Sequence, residues 1–138
     1  MTSPAAPDTY DGTAPDAAEI ESIAARAYAS IPAELRDHVK DVVIRIEEYP
    51  DEQTLADLGI ESPYDLLGLY HGVDLTQKSI ADPQPQTDMI FLYRRPLLDY
   101  WIENDFTLGK LVRHVLIHEI GHHFGFSDDD MDAIERKS

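Results

Sequence analysis

The sequence predicts one domain that combines α-helices with a few short β-strands. Its 138 residues suffice for a single hydrophobic core, because independent cores usually form at about 100 to 200 residues. Apolar residues follow helical spacing in several segments and alternate with polar residues in another. The composition, 43% hydrophobic and 28% charged, is that of an ordinary globular protein.

The beginning of the chain has a different composition from the rest. Residues 1–15 contain Pro4, Pro7 and Pro15 among small and polar residues. Such a segment buries too little apolar surface to offset the entropy lost on ordering. We therefore expect a disordered tail over residues 1–15 and a single domain over residues 16–138.

The first element of the domain is a predicted helix that starts at Asp16. Pro32 ends this helix and suits the first turn of a short helix that extends through Leu35. The first helix is expected to cover a sheet. Its apolar positions have helical spacing: Ile20, Ile23, Ala24, Ala27 and Ile31.

Three segments have the character of β-strands. Residues 42–47 alternate apolar and polar side chains, as expected for a strand with one buried face, and a turn follows at residues 49–51. Residues 65–71 and 89–94 are short apolar and aromatic runs, and the segment between them, with Pro83 and Pro85, is predicted to be a loop. The buried face of the first strand consists of Val42, Ile44 and Ile46.

Helices are predicted for the remainder of the chain. Pro96 is suited to the start of a helix, and Thr107 is suited to cap a second helix that runs to about Phe124. Ser127 and the acidic residues after it are typical of a third helix start. The side chains of this third helix that should face inward are Met131 and Ile134.

The charge and the absence of cysteine limit the function. With 27 acidic against 11 basic residues the net charge is −16, which repels phosphate backbones and anionic lipid surfaces. We therefore expect neither nucleic acid nor membrane as a partner. With no cysteine, a metal would be held by His, Asp or Glu. The N-terminus lacks the basic and apolar parts of a secretory signal, so the cytoplasm is the expected location.

The residues with recognisable chemistry lie at 118–128, in the pattern HExxHxxGxxD. On a helix, His118 and His122 lie about 40° apart and one turn along the axis, so both imidazoles can reach one ion. Glu119 is angled away from direct ligation but close enough to contact a water on the metal. Gly125 can adopt a positive φ that turns the chain back, and Asp128 can then present a carboxylate.

Three protein ligands with one position left for water are typical of catalytic zinc. We therefore predict one Zn²⁺ ion held by His118, His122 and Asp128, with Glu119 as the general base. The metal would lower the pKa of its water and polarise a substrate carbonyl. Iron, cobalt, nickel and manganese also suit two imidazoles and a carboxylate.

The stretch HEIGHHFGFSD (118–128), together with LYRRPLLDYW (92–101), resembles the small bacterial zincin-like metallopeptidase family with the HExxHxxGxxD signature. The resemblance covers residues 17–138. It implies an α+β fold in which a small mixed β-sheet packs against the active-site helix. It also implies zinc at the positions of His118, His122 and Asp128, with Glu119 as the catalytic carboxylate. We expect a monomeric peptidase that acts on a peptide or protein substrate.

Several neighbouring residues are alternatives for the site. His114 lies one turn before His118 on the same face, so it is a candidate ligand or substrate contact. Asp129 and Asp130 compete with Asp128 for the ligand position. His123 points away from the metal and is expected to be structural. Other residues at predicted strand ends are candidates to stabilise an oxyanion or hold a peptide carboxylate: Tyr70, His71, Tyr93, Arg94 and Arg95.

Two other functions compete with a peptidase. The spacing of His114, His118, His122 and Gly125 also resembles the bacterial rRNA-maturation endoribonuclease family. That family has Gly at the position of Glu119 and His at the position of Asp128, and the charge of −16 gives no basic groove for RNA. A regulatory module that binds metal without turnover is the other alternative, but such a module would not need Glu119.

Overall fold

The computed structural model describes residues 14–39, 41–72 and 87–137. The predicted tail, apart from Ala14 and Pro15, and the predicted loop with Pro83 and Pro85 lie outside these ranges. The described helices are α1 (Ala17–Ala29), α2 (Ala33–Arg36), α3 (Glu52–Leu58), α4 (Arg94–Ile102), α5 (Leu108–His123) and α6 (Asp128–Arg136). The described strands are β1 (Val42–Glu47), β2 (Gly68–His71) and β3 (Asp88–Tyr93).

The strands form one mixed sheet in the order β1–β3–β2. β1 runs parallel to β3, with Val42 opposite Asp88. β2 runs antiparallel to β3, with Gly68 opposite Leu92. Within the described ranges β2 is therefore an outer strand. The predicted α+β fold with a small mixed sheet is confirmed.

Helix α5 lies at the centre of the packing, in contact with α1, α4, α6 and β2. Helix α1 begins at a capping box, in which Asp16 accepts from the N–H of Glu19 and Glu19 accepts from the N–H of Asp16. Its predicted apolar face is buried, and α1 also packs on β1, as expected for a helix that covers a sheet. The buried face of α5 completes the core with Leu108, Leu111, Val112, Val115, Leu116, Ile117 and Ile120.

The bounds predicted for the two later strands were wrong. The strand predicted over residues 65–71 begins only at Gly68, because Ser62 accepts a hydrogen bond from the N–H of Tyr64 and starts a 3-10 helix over Pro63–Asp65. The strand predicted over residues 89–94 ends at Tyr93, and α4 begins at Arg94 rather than at Pro96. N–H groups in a first helical turn have no acceptor within the helix, so proline is tolerated at its third position.

Helix α3 was not predicted after the turn at residues 49–51. Its seven residues contribute no buried side chain, so the apolar periodicity is weak. The sequence features that indicate this helix are its two capping residues. Asp51 accepts from the N–H of Thr54 at 2.7 Å, and Gly59 ends the helix with φ +69°, a conformation that favours glycine.

The C-terminal predictions are confirmed. Thr107 accepts from the N–H of Lys110 and caps α5, which ends at the C-cap Phe124. Ser127 caps α6 through a capping box with Asp130. Met131 and Ile134 are buried. No helix in the described part of the chain is long and apolar enough to cross a membrane.

Candidate metal centre

Three histidines occupy successive turns of α5. The ring centroids of His114 and His118 lie 4.1 Å apart, and those of His118 and His122 lie 6.0 Å apart. Positions four residues apart lie on the same side of a helix, so the three rings form one row. The helical placement predicted for His118 and His122 is confirmed, and the row extends to His114.

Helix α6 folds back against α5 close to this row. The chain reverses at Gly125, which has φ +82°, as predicted. The N–H of Phe126 donates to the carbonyl of Gly121 at 2.9 Å. Because Gly121 has no side chain, α6 can pack closely against α5 at this point. A Cβ at position 121 would lie 2.7 Å from Cγ of the buried Met131.

The predicted ligands are only partly brought together. Nε2 of His122 lies 3.7 Å from Oδ1 of Asp128. Nε2 of His118 instead faces a carboxylate farther along α6, Oε1 of Glu135, at 3.2 Å. Among the described residues, the ligand atoms of His118, His122 and Asp128 do not all lie within 4.8 Å of one another.

Glu135 is the residue of this region that the sequence reasoning missed. Its Oε2 lies 2.8 Å from Nδ1 of His114. The candidate ligand atoms of His114, His118 and Glu135 all lie within 4.8 Å of one another. Burial by itself raises the pKa of Glu135, but hydrogen bonds and charge interactions with the two histidines outweigh it, so the pKa lies below its ordinary value.

Glu119 is directed toward the sheet. The main-chain N–H of Tyr70 on β2 donates to Oε1 of Glu119 at 3.2 Å. Burial raises the pKa of Glu119, while this hydrogen bond and the neighbouring His122 lower it by less. The carboxyl group is therefore held in one direction, in a part-buried position that favours its neutral form.

The alternatives weighed from the sequence have distinct surroundings. The ring of His123 stacks on that of Tyr70 at 4.1 Å, in agreement with a structural role. The hydroxyl of Tyr70 donates to Oδ2 of Asp88 at 2.6 Å. Asp130 accepts from the N–H of Ser127 in the capping box, whereas Asp129 is exposed.

The chemistry of this donor set suits zinc. Imidazole nitrogens and carboxylate oxygens are among the ligands that zinc takes in proteins, and both types line the facing sides of α5 and α6. The neighbouring Glu119 offers a part-buried carboxylate on the same helix. The histidines of α5 and the carboxylates of α6 thus supply the types of ligand that a divalent cation requires.

Comparison with models of known protein families gives a match. The family model described as zincin-like metallopeptidase matches residues 39–138, a range that contains the whole sheet and every candidate ligand. The comparison with curated proteins gives no match. The family supports a zinc metallopeptidase type of hydrolase. On this match, the chain belongs to the zincin-like metallopeptidase family.

Proposed function

We propose that this protein is a zinc-dependent peptidase in which His118, His122 and Asp128 hold one Zn²⁺ ion and Glu119 is the general base. The observation that carries the proposal is the position of Glu119. It lies on the helix that carries both histidines, next to His118, and its carboxylate is fixed by the N–H of Tyr70 at 3.2 Å. Bound zinc would polarise the substrate carbonyl and lower the pKa of a water molecule.

The side chains of the proposed ligands differ in how freely they can change rotamer. The side chain of His118 is 20% exposed, so its ring is constrained by the packing around it. The side chain of Asp128 is 88% exposed, which leaves it free to adopt the rotamer that ligation requires. His122 and Asp128 already face each other at 3.7 Å, so only a small adjustment separates these two side chains from ligation of one ion.

Glu119 is suited to accept and return a proton. A carboxylate whose pKa is raised by burial is a stronger base than an exposed one, and efficient general bases have a pKa near the working pH. Its hydrogen bond to the main chain of β2 fixes the direction of the carboxylate. In the proposed role, Glu119 takes the proton of the attacking water and passes it to the leaving amine.

The outer strand β2 supports a peptide or protein as the substrate. The N–H of Tyr70 turns away from β3 and toward Glu119, so this side of β2 adjoins the general base. An extended peptide can add to an outer strand through main-chain hydrogen bonds. A net charge of −16 disfavours RNA on the same surface. We propose that the protein acts as a monomer.

The test is a set of variants assayed for peptide hydrolysis and bound zinc. Glu119→Gln should retain zinc and lose hydrolysis by at least about 100-fold, since general-base catalysis contributes on the order of 100-fold or more. His118→Ala should lose both. Asp128→Asn should lose activity, and Asp129→Asn is its matched control on the same helical turn. Equal hydrolysis by wild type and Glu119→Gln would refute the role of Glu119 as general base, and zinc binding without hydrolysis in wild type would leave only a metal-binding module.

A further inference from the structure

Nε2 of His118 lies in a row of histidines that faces two carboxylates of α6. Asp128 faces His122, and Glu135, two helical turns farther along α6, faces His114 and His118. We infer that His114, His118 and Glu135 form a second, alternative position for the divalent cation. The inference rests on the proposed function in one respect: the first position is the triad of His118, His122 and Asp128.

The geometry of the second set is that of a compact ligand group. Oε2 of Glu135 lies 2.8 Å from Nδ1 of His114, and Oε1 lies 3.2 Å from Nε2 of His118. All three ligand atoms lie within 4.8 Å of one another. Two imidazoles and one carboxylate form a donor set that binds zinc and other first-row divalent metals.

The second position is also held in place by the surrounding chain. Nη1 of Arg113 donates to the carbonyl of Glu135 at 2.9 Å, and Nη2 donates to the carbonyl of Lys137 at 2.9 Å. These bonds join the end of α6 to the helix that carries His114 and His118. Ligands fixed by neighbouring contacts lose less entropy when they bind an ion, so the position is preorganised.

Sharing His118 makes the two positions exclusive. A neutral imidazole has one nitrogen lone pair for a metal, and Nε2 of His118 faces Glu135. An ion bound between His114, His118 and Glu135 therefore withdraws His118 from the triad beside Glu119. The two positions are therefore alternatives for one ion, and passage of the ion from the second to the first requires His118 to turn toward His122.

The experiment measures zinc affinity with a competing chelator, without any substrate. The variants are Asp128→Asn, Glu135→Gln and the double variant, with Asp132→Asn as the control for loss of a carboxylate on α6. When two exclusive positions bind one ion, their association constants add. Each single variant should therefore lose only about twofold if the positions are equal, whereas the double variant should lose about 100-fold or more.

Other outcomes overturn the inference and separate it from the proposed function. If Asp128→Asn alone abolishes binding and Glu135→Gln binds as wild type does, the second position is excluded and the proposed triad stands. If Glu135→Gln alone abolishes binding and Asp128→Asn has no effect, the ion has only the second position. Both the inference of two alternative positions and the proposed triad then fail. If the double variant binds as wild type does, neither carboxylate is a ligand. Circular dichroism of the metal-free variants verifies that each one is folded.

Discussion

The main-chain N–H of Tyr70 donates a hydrogen bond to Oε1 of Glu119, with 3.2 Å between the two heavy atoms. The bond joins the outer strand β2 to the helix that carries the histidines. Because the donor belongs to the main chain, the side chain at position 70 can change without removing it. The side chain of Glu119, by contrast, is an essential partner in this bond.

Substitutions of Glu119 should affect stability according to whether they retain the acceptor. Glu119→Gln keeps an Oε1 atom and removes a part-buried charge, so its free energy of unfolding should fall by less than about 0.5 kcal/mol. Glu119→Ala leaves the N–H of Tyr70 without this acceptor and should lose about 1–2 kcal/mol. Urea unfolding in the presence of a chelator measures both values. Equal losses in the two variants would show that the bond contributes nothing to stability.

Tyr70→Phe tests whether the phenol of Tyr70 has a structural or a catalytic role. The hydroxyl donates to Oδ2 of Asp88 at 2.6 Å, and Tyr70 is only 8% exposed. The variant should lose about 1.5–3 kcal/mol of unfolding free energy, as expected for a hydrogen bond to a charged group. Its peptide hydrolysis per folded molecule should equal that of wild type. A large loss of hydrolysis with unchanged stability would instead identify the phenol as part of the chemistry.

Tyr93 should make the fold sensitive to alkali. Burial, with smaller contributions from Asp51, Glu47 and Glu119, raises the pKa of Tyr93 to about 12 from an ordinary value of 10.0. The folded state therefore keeps a proton that the unfolded chain releases, so this contribution is complete below pH 10 and is lost as the pH rises toward 12. Urea midpoints should fall across this interval, and more steeply in wild type than in Tyr93→Phe. The exposed Tyr100 supplies the control, and an equal effect of Tyr100→Phe would contradict the assignment.

Arg113 should stabilise the contact between α5 and the end of α6. It donates to the carbonyls of Glu135 and Lys137 and to Oγ of Ser30. Arg113→Met keeps much of the aliphatic stem and removes all three bonds, so it should lose about 1–2 kcal/mol of unfolding free energy. Arg26→Met is the control, because Arg26 donates to the exposed Ser22 on its own helix and should change stability by less than about 0.5 kcal/mol. Similar losses of unfolding free energy in the two variants would show that Arg113 stabilises the fold no more than Arg26 does.

The parts of the fold that the sequence predicted well have local physical causes. Thr107 and Ser127 cap helices through their own side chains, and Gly125 adopts the positive φ expected after a helix. Helix α3 was missed because it buries no side chain, so periodicity gave no signal. Only its capping residues, Asp51 and Gly59, indicated it.

The candidate site was predictable where its residues share one helix. The row of His118 and His122, with Glu119 beside it, follows from helical geometry alone. Glu135 was missed because its contact with His118 spans 17 residues and depends on how two helices pack. Its spacing of seven residues from Asp128 places both on one side of α6, which is a signal that becomes useful only once α6 is known to face the histidines.

The contact of Gly121 with Met131 has a consequence for the HExxH pattern itself. The notation leaves residue 121 open, yet in this protein a methyl group at that position would collide with the buried side chain of Met131. An alanine at position 121 would therefore require Met131, and with it α6, to move away from α5. The spacing of the two helices that carry the candidate ligands therefore depends on a residue that is not itself a candidate ligand.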